Sequence, residues 1–193
     1  MKKILLMLFC LALSNNAFGK STKILNLSCE YDPDLIKVEN KDIGFLENEK
    51  IDRSRICQSF GCKDIVEVRK YDTPTSDNED EYRLSNTWFN HQGILLDDFL
   101  ITKNNITIST FVSQAFFLES YQIDKSTGKT KRIFYRFDNA DFLNGINKIE
   151  ESTESPALYN KKGKLSLKTL KSFSLEPWET FYFEGKCLEG TGV

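Results

Sequence analysis

The feature that most constrains this chain is a hydrophobic period of two. In "ETFYFEGKC" (179–187), Phe181, Phe183 and Cys187 fall on one side of an extended chain, and Tyr182, Glu184 and Lys186 on the other. Successive side chains of a strand point to opposite faces, so this pattern buries one face and wets the other. It recurs along the sequence. Leu25, Leu27 and Cys29 alternate with polar residues in "KILNLSCE", and Ile106 and Ile108 do so in "NITISTF". Tyr82, Leu84 and Trp88 share a phase in "YRLSNTWF", with Asn86 as a polar exception. "FLESYQID" and "RIFYRFD" are rich in the aromatic and branched residues that suit a pleated surface. Many short amphipathic strands of this kind predict antiparallel sheet.

Turn signals separate these strands at hairpin spacing. "DKSTGK" (124–129) and "YNKKGK" (159–164) carry Gly128 and Gly163, which supply the positive φ that tight turns need. "TKNNIT" (102–107) is a third candidate without glycine. Helix signals are sparse: one or two turns over 51–60, and an ambiguous stretch over 165–173. The fold expected is all-β: a single antiparallel barrel or sandwich of about eight strands with few short helices.

The N-terminus reads as a secretion signal. Lys2 and Lys3 precede an apolar run from Ile4 to Leu13, and Ala17-Phe18-Gly19 offers small residues for cleavage after Gly19. Cys10 lacks the small preceding residue of a lipoprotein signal. The domains expected are therefore a signal peptide, 1–19, and one β-rich domain, 20–193, placed in the periplasm or secreted. No later run reaches the roughly 18 apolar residues of a membrane helix, so no integral membrane segment is expected. Cleavage leaves 24 basic and 28 acidic side chains, a formal charge of −4, which argues against nucleic acid as a partner. An apolar content of 40% is enough to fill a core.

Four cysteines survive cleavage, and an even number in an exported chain favours disulfides. Cys29 and Cys187 each extend the apolar face of a terminal strand, so neighbouring terminal strands bring both sulfurs inward. Cys57 and Cys62 remain, in "CQSFGC". A regular helix or strand turns two cysteines at this spacing apart. Gly61 permits the bend that lets them close a local clip. The spacing is too wide for a thioredoxin-type dithiol, and no second close pair completes a zinc site.

Signals for chemistry are few. His91 is the only histidine; a triad with Asp97 or Asp98 lacks a Gly-x-Ser-x-Gly serine, and a polar turn is the simpler reading. The acidic stretches 72–81 and 148–155 lack calcium-loop spacing and read as solvated loops. The lysines of 161–171 could serve an anionic ligand or face solvent. No cofactor, metal or catalytic residue is expected. The 15 Phe, 7 Tyr and 2 Trp fill a β core or line a cavity.

The early strand cysteine in "LNLSCE", the "YQIDKSTGK" hairpin and the terminal "FEGKC" together resemble small exported proteins of proteobacteria. The resemblance implies an exported β-rich fold and carries no activity or functional residue. The function expected is a non-enzymatic binding or interaction protein, its partner an unknown protein or a small apolar ligand. Two alternatives stay open: a carrier holding that apolar ligand in an aromatic-lined barrel cavity, and a hydrolase whose carboxylates are scattered in sequence.

Overall fold

The computed structural model describes residues 21–71, 81–86, 94–96, 98–112, 116–141 and 175–190. Their dominant element is antiparallel strand. The order is β1 (Ser21–Tyr31), β2 (Lys37–Asn40), β3 (Gly44–Phe45), helix α1 (Arg53–Phe60), β4 (Lys63–Tyr71), β5 (Glu81–Ser85), β6 (Ile94–Leu95) and β7 (Asp98–Ile101). Then come β8 (Asn105–Val112), β9 (Phe117–Asp124), β10 (Lys129–Arg136) and β11 (Glu179–Glu189). The strands hydrogen-bond in the spatial order β6-β5-β4-β1-β11-β10-β9-β8-β7, with β2 and β3 appended beside β11. Eight strands of that path are longer than two residues, matching the count expected from the period. The sheet curls until Tyr82 of β5 and Phe99 of β7 stack at 5.1 Å, so the sandwich alternative gives way to a nearly closed barrel.

The two terminal strands of the domain are neighbours, as their cysteines imply. Cys29 lies directly opposite Cys187 in the β1–β11 register, and the two form a disulfide across a sequence separation of 158. Cys57 and Cys62 form the second, local disulfide. Helix α1 begins at Asp52, whose side chain accepts a hydrogen bond from the Arg55 amide, and ends at Gly61, whose φ of +76° turns the chain back into β4. The bend that closes the clip is thus also the helix stop. The chain-entropy model gives about 5 kcal/mol for the long bridge and about 2 for the clip.

One edge of β11 is shared. β1 pairs with its residues 185–189 and β2 with its residues 179–182, so the two act as one interrupted strand. The chain between them leaves the sheet as a short 3-10 turn, Pro33–Leu35, started by Asp32, whose side chain accepts from the Asp34 amide. At the break β1 passes very close to β11. A Cβ on Gly185 would lie 2.1 Å from the Glu30 carbonyl oxygen, so no side chain fits at that position.

The inward rows follow the predicted phase. Leu27, Cys29 and Tyr31 of β1, Val66 and Val68 of β4, Phe181, Phe183 and Cys187 of β11, and Ile106 and Ile108 of β8 are all buried in one cluster. Phe60, at the end of α1, stacks on Phe134 at 4.8 Å and on Phe181 at 4.6 Å, which plugs the barrel with rings. Full burial of a Phe side chain, as for Phe134 and Phe183, contributes about 1.5–3 kcal/mol. The hairpins expected at 124–129 and 102–107 join β9 to β10 and β7 to β8, and Gly128 takes positive φ. The signal segment 1–19, residues 72–80 of the acidic stretch 72–81, the acidic stretch 148–155, Gly163 with its hairpin, and the stretches 161–171 and 165–173 lie outside the described residues, whereas Glu81 opens β5. Among the described residues, no helix is long and apolar enough to cross a membrane.

Candidate functional site

Inside the barrel the apolar rows are interrupted by charge. Arg132 sits in phase with Phe134 on β10, Glu119 in phase with Phe117 and Tyr121 on β9, and Asp64 in phase with Val66 and Val68 on β4. The side chains of Arg132, Asp64 and Glu119 are fully enclosed. Arg132 Nε donates to Glu119 Oε1 at 2.7 Å, and Nη1 lies 3.4 Å from Asp64 Oδ2. Nη1 also donates to the carbonyls of Phe60 and Gly61, at 2.9 and 3.1 Å. The Tyr121 hydroxyl is 2.7 Å from Glu119 Oε1 and 2.9 Å from Asp64 Oδ2, and accepts from Asn86 Nδ2 at 3.0 Å. Asn86 also donates to Glu119 Oε2 at 3.2 Å, so the polar exception in the β5 phase belongs to this network.

Burial and pairing set the charge states here. Burial opposes the charge of Arg132, but the facing Tyr121, Glu119 and Asp64 outweigh it and hold the guanidinium above its ordinary value. Burial pushes the phenols of Tyr121 and Tyr31 upward, so both stay protonated and neutral. The guanidinium also lies over three rings, 4.5 Å from Phe134, 5.4 Å from Tyr121 and 5.6 Å from Tyr31. The arrangement joins β4, β5, β9, β10 and the end of α1. The carboxylates are already engaged by Arg132 and Tyr121, and no face of them meets solvent. Such a cluster fixes the relative placement of the elements rather than meeting a substrate.

The accessible concavity is elsewhere. A half-open groove of about 950 Å³ runs over the outward face of β1, β11, β10, β9 and β8, walled on one side by the 3-10 turn. Its floor follows cross-strand rows. Thr107, Gln122, Lys131 and Glu184 lie side by side in one row, and Lys129, Lys186 and Glu30 in the next. Several of its acids are committed locally. Glu30 pairs with Lys63 at 3.1 Å, Asp32 caps the 3-10 turn, and Asp124 accepts from Ser126 and Thr127 in the hairpin. The bonds from the Ser126 side chain and from the Ser126 and Thr127 amides hold the Asp124 carboxyl below its usual range. Among the described residues, Lys129, Lys131 and Lys186 make no ion pair. Tyr31 and Thr130 also border the groove, but their side chains belong to the inward face, where their hydroxyls have no hydrogen-bond partner among the described residues.

Of the residues singled out in sequence, the structure joins Cys29 to Cys187 and Cys57 to Cys62. His91 and Asp97 lie outside the described residues. Asp98 lies on β7, on the far side of the path from β5. Asp64, Glu119 and Arg132 are functional candidates that the sequence alone did not single out. Their signal was available: each is a charge in phase with a buried apolar row, and Arg132 is opposite in sign to the two acids. Among the described residues, no group of three or more His, Cys, Asp or Glu side chains is arranged to hold a metal ion. No protein-family model matches the chain, and no match is found among curated proteins or solved structures.

Proposed function

We propose that the chain is an exported binding protein without catalytic activity, and that the outer groove is its ligand-binding surface. The observation that carries this reading is a concavity of ligand-site volume whose floor presents lysines that make no ion pair among the described residues. The N-terminal apolar run supports export, and two disulfides fit an oxidising compartment. The aromatic excess packs ring against ring around Phe60, which supports a core role for it over an apolar carrier cavity. A hydrolase reading has one observation in its favour, the convergence of Asp64 and Glu119 on the Tyr121 hydroxyl. Their enclosure gives a substrate no approach.

Native mass spectrometry of protein taken from its own host tests the reading. A retained ligand that is lost in a Gln122→Trp variant, which fills the groove floor from an exposed position, is the expected result. A ligand retained equally by wild type and variant places binding elsewhere and defeats the assignment of the groove.

A further inference from the structure

Building on that reading, we infer that the groove takes an acidic saccharide, a carboxylate carried on polyhydroxylated rings. Two halves of the floor differ in chemistry. On β10 and β11, Lys129 and Lys186 stand directly opposite each other in the register, and Lys131 lies two positions along the same face. Like charges directly opposite across a strand pair destabilise a sheet. The nearest carboxylate in that row, Glu30, is drawn to Lys63 on its other side. An oxyanion seated between the two ammonium groups relieves this repulsion. On β8 and β9 the same groove presents Asn105, Thr107 and Gln122, which are uncharged donors and acceptors suited to hydroxyl groups.

Glu184, beside Lys131, sets the selectivity: it repels a dense polyanion and tolerates charges spaced a sugar ring apart. Among the described residues the only aromatic at the groove is Tyr31, whose ring points into the core, so they offer none of the stacking platforms that single-stranded nucleic acid uses.

The test is titration calorimetry of the mature, disulfide-bonded protein with a panel of uronate trimers. Their methyl esters, which keep the hydroxyls and lose the charge, and inorganic tripolyphosphate, which has charge without hydroxyls, are the comparisons. At least one uronate trimer should bind, weakening with added salt, and its ester and tripolyphosphate should bind at least about tenfold more weakly. A Lys129→Gln/Lys186→Gln double variant should lose at least about tenfold, while Lys41→Gln, outside the groove, should not change the affinity. Equal binding of the ester overturns the role of charge, and equal binding of tripolyphosphate overturns the role of the rings. An unchanged affinity in the double variant overturns the placement. No binding by any uronate trimer overturns the ligand class. In that last case, a different host ligand displaced by Gln122→Trp leaves the groove standing as the binding surface, whereas one that is not displaced removes both readings.

Discussion

Replacing Arg132 by methionine should destabilise the fold by about 3–5 kcal/mol, because it strands two buried carboxylates. The magnitude follows from the geometry. Arg132 Nε is 2.7 Å from Glu119 Oε1 and Nη1 is 3.4 Å from Asp64 Oδ2, with all three side chains enclosed. At an effective dielectric of about 20, unit charges about 4 Å apart attract by about 4 kcal/mol. The lost attraction is partly offset by the side-chain entropy that arginine no longer gives up. The carbonyls of Phe60 and Gly61 also lose their donor, which loosens the end of α1 over the aromatic core. In a domain of this size the loss lowers the melting temperature by about 6–20 °C. Urea unfolding followed by tryptophan fluorescence and far-UV dichroism measures it. The triple variant Arg132→Met/Asp64→Asn/Glu119→Gln removes all three charges and should recover most of the loss. A single variant within about 1 kcal/mol of wild type, or a triple variant no better than the single, refutes charge pairing as the reason for the cluster.

Other consequences are testable on the same preparation. Replacing Cys29 and Cys187 by alanine should cost more than replacing Cys57 and Cys62, about 5 against about 2 kcal/mol in the entropic account, and equal midpoints in urea contradict it. Gly185→Ala should cost about 3 kcal/mol, the top of the range for overpacking, because the Glu30 carbonyl that the new Cβ meets is backbone and cannot swing away. Burial raises the Glu67 carboxyl, but hydrogen bonds from Lys23 and Arg69 and their charges outweigh it and hold its pKa below the ordinary value. Its contribution to stability is therefore present above the unfolded carboxylate pKa and is lost as pH falls through the lower folded value. A Glu67→Gln variant should show a shallower fall in unfolding midpoint on acidification, and an unchanged acid limb would count against that pairing.

Much of the fold was legible in the sequence because its causes are local. Alternation in 179–187 and in "KILNLSCE" put Cys187 and Cys29 on inward faces, and the structure pairs them across β11 and β1. Gly61 marked the bend that closes Cys57 onto Cys62. Period two and turn chemistry act within a few residues, so a linear reading recovers them. Barrel closure was not legible, because it depends on accumulated twist bringing Tyr82 to Phe99. Nor was the candidate site. Lys129 and Lys186 are 57 positions apart and meet only through the β10–β11 register. Arg132, Glu119 and Asp64 each look out of place in their own strand, and their compensation is visible only across the barrel. Side-chain facing is fixed by neighbours in sequence, but which faces confront one another is fixed by strand order and curvature, and those belong to the whole sheet.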